Sequence, residues 1–159
     1  MTRQRIRIVI PSTATSQEDL KLAREERNSV QLFFDTTGFD FGSNTLAFVF
    51  LRGQYSAREG TLRMAGVFVN GSAYPLGGLY GCLTLNCRSA DITVPEIRLN
   101  LPTDFTGVLL PFDGLLIHIE VPAGPLNEDI MLSGSDMEGL LTDVEIFPVN
   151  GIERQPSFL

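Results

Sequence analysis

The feature that most limits the fold is punctuation: from Val30 onward, short apolar runs alternate with Gly, Pro, Asn and Asp, with a turn signal about every 8 to 14 residues. The runs cover residues 30–34, 45–52, 61–69, 79–87, 96–101, 105–110, 115–121 and 140–147, and a further run at 3–10 alternates Ile6, Ile8 and Ile10 with Arg3, Arg5 and Arg7. Such spacing predicts about nine strands and an all-β chain, a β-sandwich of jelly-roll-like kind. Two dipeptides, Asn70-Gly71 and Asp113-Gly114, have the positive-φ chemistry of tight hairpin turns.

Parity along the runs separates outer strands from central ones. Ile97, Leu99 and Leu101 oppose Glu96, Arg98 and Asn100, and Val144 and Ile146 oppose Asp143 and Glu145, the pattern of strands with one wet face. Between Leu46 and Leu51 both parities are apolar, so this strand is covered on two sides or feeds an interface. Pro95, Pro102, Pro111 and Pro122 bracket strands and suit edges, where a missing N–H matters least.

One helix signal interrupts the pattern, over about residues 17–28, with Ser16 as N-cap and Glu18 and Asp19 complementing the positive end of the helix dipole. Leu20 and Ala23 make a narrow apolar stripe among charged residues, so a surface connector is expected.

At 159 residues and 43% hydrophobic side chains, the chain suits one domain with one core, here residues 1–159 with a basic N-terminal strand or arm (1–11) and a C-terminal tail (150–159). The formal charge is −7, divided as +1 up to Gly60 and −8 beyond it, which disfavours direct binding to nucleic acid or anionic membrane. No apolar run approaches the roughly 20 residues of a membrane helix, and the start of the chain lacks a secretory apolar segment, so synthesis in a reducing cytoplasm is expected. Cys82 and Cys87, five strand steps and about 16 Å apart, are beyond disulfide reach and are expected as free thiols.

Candidate chemistry is sparse. His118, the one histidine, shares a strand face with Leu116 and Glu120, and one imidazole lacks the companions that a zinc site or a Ser-His-Asp triad needs. Residues 127–138 concentrate oxygen ligands, but Asp129 and Asp136 straddle an apolar triplet resembling a short strand, which matches no calcium loop. Carboxylate pairs for glycoside hydrolysis can be drawn from Asp104, Asp113, Glu120 and Glu128, as from any acidic β-protein. The glycine-rich runs at 38–42 and 75–81 open no helix after a strand, so phosphate-cradling loops are not indicated.

No catalytic residue, metal ligand or cofactor is therefore expected. The expectation is a non-enzymatic structural protein of a larger particle, a virion (phage-like) capsid, decoration or tail component, joined into a homo-oligomer or a larger shell through its interfaces. The interface residues named for this role are Arg3, Arg5 and Arg7, whose guanidinium forks suit carboxylates, and Phe158 and Leu159, which end the tail with apolar groups. A carbohydrate- or receptor-binding sandwich is the alternative, weakened by the absence of Trp and by a total of 3 Tyr.

Overall fold

The computed structural model describes residues 5–11, 17–37 and 46–148. In chain order the elements are β1 (Arg7–Val9), α1 (Gln17–Thr36), β2 (Leu46–Ser56), β3 (Thr61–Asn70), β4 (Leu76–Cys87), β5 (Ile97–Pro102), α2 (Thr103–Thr106), β6 (Asp113–Pro122), β7 (Ile130–Ser133) and β8 (Met137–Pro148). Eight strands form among the described residues, in a five-stranded sheet of order β1-β6-β3-β2-β7 and a three-stranded sheet of order β5-β4-β8. All pairings are antiparallel except β1 with β6.

The main core fills the space between the sheets. Leu62, Met64, Phe68, Leu115, Ile117 and Tyr55 of the larger sheet meet Leu79, Leu83, Leu85 and Leu99 of the smaller. A second apolar cluster lies on the outer face of the larger sheet, where Val30 and Phe34 of α1 pack with Ile6, Ile8, Val67, Val69 and Leu116. Every residue of β3 from Met64 to Asn70 is buried because this strand has the sandwich core on one face and helix cover on the other.

The helix is longer than expected and does more. Val30, Phe34 and their neighbours form its last turns, not a strand, so the expected strand at 30–34 and the helix end at 28 are both corrected. The stripe runs Leu20, Ala23, Arg27, Val30, Gln31, Phe34, and its polar members break the apolar period in the sequence. Burial of Val30 and Phe34 contributes about 1.5 to 3 kcal/mol each, enough to make α1 a third layer.

Phe48 shows why the doubly apolar stretch of β2 is possible. Leu46, Phe48 and Phe50 join the main core while Val49 and Leu51 join the helix-side cluster, so the strand is covered on both faces. The ring of Phe48 lies over Gly66 and Gly139, where an added Cβ would overlap it, and 4.9 Å from the ring of Phe68. A bulge between Phe50 and Arg52 then changes parity, so that Arg52 and Gln54 point outward and Tyr55 inward.

Neither expected hairpin dipeptide makes a hairpin. Asn70 ends β3, and the chain crosses to the other sheet. Its buried amide donates to the carbonyls of Tyr74 (2.9 Å) and Leu109 (3.0 Å) and accepts from the N–H and hydroxyl of Ser72. Asp113 and Gly114 begin β6, with the reversal falling on Pro111 and on Phe112 at φ 65°. Residues 105–110, expected as a strand, hold the end of the short helix α2 and one bridge from Leu109 to Leu76.

Candidate functional site

Glu26 of α1 reaches down to the outer face of the larger sheet and binds two side chains there. Its carboxylate lies 2.9 Å from His118 Nε2 and also pairs with Arg52. Arg52, Ala65 and His118 are in register across β2, β3 and β6, and the next row holds Gln54, Arg63 and Glu120. Burial raises the pKa of Glu26, but the hydrogen bonds and charges of His118 and Arg52 outweigh it and hold the carboxyl below its ordinary value.

Beside this bridge is an open depression of about 450 Å³, lined by Arg52, Gln54, Arg63, His118, Glu120 and Met131 among others. Arg63 donates to Glu120 at 3.2 Å and lies 3.8 Å from Glu59. The lining contains no Ser, Thr or Cys that a His118–Glu26 pair would activate. Among the described residues, no group of three His, Cys, Asp or Glu side chains converges as a metal donor set. Sequence reasoning placed His118 beside Leu116 and Glu120 correctly but missed Glu26, which is 92 positions away and has no local signal.

The other sequence candidates are dispersed. Asp113 is almost fully buried and accepts both Nε and Nη2 of Arg7 at 2.8 Å, while Glu120 binds Arg63. These two carboxylates sit seven residues apart on β6, about 23 Å in strand steps, too far for a glycosidase pair. Asp104 lies in α2 and Glu128 in the exposed loop before β7. In the acidic stretch, Asp129 accepts the Ala57 N–H at 2.8 Å, Asp136 accepts the Ser133 N–H at 2.7 Å, and Glu138 binds Arg88 at 2.7 Å. The backbone bond from Ser133, with side-chain bonds from Ser89 and Ser133, lowers the pKa of Asp136. Cys82 and Cys87 are free thiols. Burial, with the Glu96 carboxylate, pushes the Cys82 thiol up.

Of the named interface residues, Arg5 and Arg7 are described and each has a carboxylate within its own chain. Arg5 forks onto Asp35 at 3.1 and 3.2 Å, an exposed pair, and Arg7 onto Asp113. Arg3, Phe158 and Leu159 lie outside the described residues, as do the Ser16 cap, the 38–42 glycine run and the tail from 149.

Large apolar side chains are exposed at one end of the sandwich: Tyr74 at 61%, Val108 at 46% and Leu110 at 45%. The Asn70 amide and the Leu76–Leu109 bridge hold these segments together, and β8 reaches the same end at Pro148, opposite Leu76. No helix among the described residues is long and apolar enough to cross a membrane. No family model, curated protein or solved structure matches the chain.

Proposed function

We propose that this chain is a non-enzymatic structural protein that assembles into a larger particle, as a capsid, decoration or tail component of a phage-like virion. Jelly-roll-like sandwiches serve as repeating units of such shells, where the interface is the function. The observation that carries the reading is the apolar end formed by Tyr74, Val108 and Leu110, beside the point where the chain continues past Pro148 towards Phe158 and Leu159. Exposed apolar side chains gathered at one end of a sandwich suit a partner protein. The depression around His118 favours no chemistry, because Glu26, Arg52, Arg63 and Glu120 are each engaged in an ion pair. A carbohydrate- or receptor-binding role is the second reading, favoured by the exposed ring of Tyr74.

Size-exclusion chromatography with light scattering on the full chain, and on a chain lacking residues 157–159, tests the proposal. The full chain is expected to self-associate, and the deletion to weaken association while the monomer melts within about 2 °C of the parent, less than the shift from 1 kcal/mol. A strictly monomeric chain that binds glycans would overturn the assembly reading in favour of the second.

A further inference from the structure

Among the described residues four strands bound the two sheets, and three of these edges are closed to a new strand. β1 is sealed by Gln31 and Arg27, β7 has four residues, and β8 carries a bulge opposite Tyr80 and Cys82, with Asp143 at φ 52°. β5 carries only prolines at its margins, Pro95 two residues before it and Pro102 at its end, and between them residues 97–101 have no bulge and no side-chain seal among the described residues. Its register with β4 runs unbroken from Ile97–Leu83 to Pro102–Gly78, and no described strand pairs with its other side. Leu99 is buried, Ile97 and Leu101 are half-buried, and Arg98 and Asn100 are exposed. Just before β5, Thr93 already exchanges hydrogen bonds with Gly124 on the side away from β4, at 3.0 and 3.1 Å, so this side accepts pairing.

Resting on the assembly reading above, we infer that β5 is the surface through which two copies of this chain join, antiparallel about a twofold axis at Ile97. Charge identifies the occupant. In this register Glu96 of each protomer stands directly opposite the partner's Arg98, on one face and within about 5.5 Å, giving two opposite-charge pairs. Centring on Arg98 would set guanidinium against guanidinium, and centring on Leu99 would set Arg98 against Asn100. A one-residue slip would oppose Ile97 to Arg98 and put apolar and charged faces together. Among the described residues neither Glu96 nor Arg98 has an ion-pair partner in its own chain, a state they share with Arg24, Arg27 and Arg58, and the Glu96 carboxylate accepts a hydrogen bond from the Cys82 thiol. Pairing also covers Ile97 with its own copy. The Thr93–Gly124 bonds confine the new ladder to residues 95–99.

Charge reversal tests both surface and register. Arg98→Glu and Glu96→Arg are made separately in the full chain, and self-association is measured by light scattering and sedimentation, with thermal melting to confirm that each folds. Each single variant is expected to raise the dissociation constant about tenfold or more, since two attractive pairs become repulsive. An equimolar mixture of the two variants is expected to restore association, because every cross-strand pair is then again Glu against Arg. Folded variants that associate as tightly as the parent, or a mixture that does not recover, would overturn the β5 surface and leave the assembly reading standing. A parent chain that stays monomeric would overturn the inference, with the deletion and glycan experiments deciding the broader reading.

Discussion

Gln31 acts as a strand partner for Ile8. Its Oε1 accepts the Ile8 N–H and its Nε2 donates to the Ile6 carbonyl, both at 2.8 Å, so a helix side chain makes the two bonds that a neighbouring strand would make. Arg27 adds a bond to the Ile8 carbonyl at 3.3 Å. The outer edge of β1 is thereby closed while α1 is fixed to the sheet. Gln31→Leu keeps the volume and removes both bonds, leaving a buried donor and acceptor unpaired. Chemical denaturation is expected to show a loss of about 1 to 3 kcal/mol. A loss below about 0.5 kcal/mol, the usual size for surface changes, would show that water replaces the amide freely.

The same residue explains what the sequence concealed. The sequence reads as a helix ending near 28 because Arg27 and Gln31 interrupt the apolar stripe, yet both satisfy the backbone of β1, 19 to 25 positions away. The alternation of residues 97–101 and the doubly apolar parity of 46–51 were legible because they depend on strand period alone. Asp113-Gly114 misled for another reason: the dipeptide has turn chemistry, but Asp113 is held in β6 by Arg7, a partner 106 positions distant. The Glu26–His118 bridge joins elements 92 residues apart, and no local pattern encodes it.

Phe48, half-buried against the main core, is expected to be a sensitive position of β2. Phe48→Ala should lose about 3 to 5 kcal/mol in equilibrium unfolding, since the ring fills the space over Gly66 and Gly139 and contacts Phe68. Gly66→Ala forces a methyl into that ring and should cost about 1 to 3 kcal/mol. In the double variant the methyl enters the vacated space, so its loss should be smaller than the sum of the two single losses. Full additivity would mean that the ring does not lie on Gly66.

Glu26 makes part of the stability acid-sensitive. Its carboxyl titrates below its ordinary value of 4.5 in the fold, because the His118 and Arg52 contacts outweigh burial. The contribution is thus fully present above the unfolded pKa and is lost as pH falls through the lower, folded one. Asp35, beside Arg5 and Gln31, and Asp136, bonded by Ser133 and Ser89, are shifted in the same direction. Thermal melting of Glu26→Gln against the parent should show the gap between them closing below about pH 4.5, the ordinary carboxylate range. A gap that widened in acid would reverse the assigned direction. His118→Gln should leave assembly intact, and metal analysis finding an ion bound at His118 would refute its reading as a bridging side chain.

Arg7 and Arg5 separate a residue that holds its own domain from one free to serve another. Asp113 keeps its carboxylate almost out of water, with the side chain 3% exposed, and needs both Arg7 nitrogens besides the Leu110 N–H at 2.9 Å. Removing Arg7 leaves a buried charge short of partners, and Arg7→Ala should destabilise the monomer by about 1 to 3 kcal/mol. Asp35 and Arg5 are both exposed, and salt screens such a pair, so Arg5→Ala should change monomer stability by about 0 to 1 kcal/mol and less at high ionic strength. If the basic strand also binds a second subunit, Arg5→Ala is the informative variant: weakened association with an unchanged melting temperature would mark Arg5 as an interface residue. Unchanged association would restrict it to its contact with Asp35. The same comparison at Arg7 cannot be made cleanly, because its loss unsettles the start of β6 through Asp113 before any interface is involved.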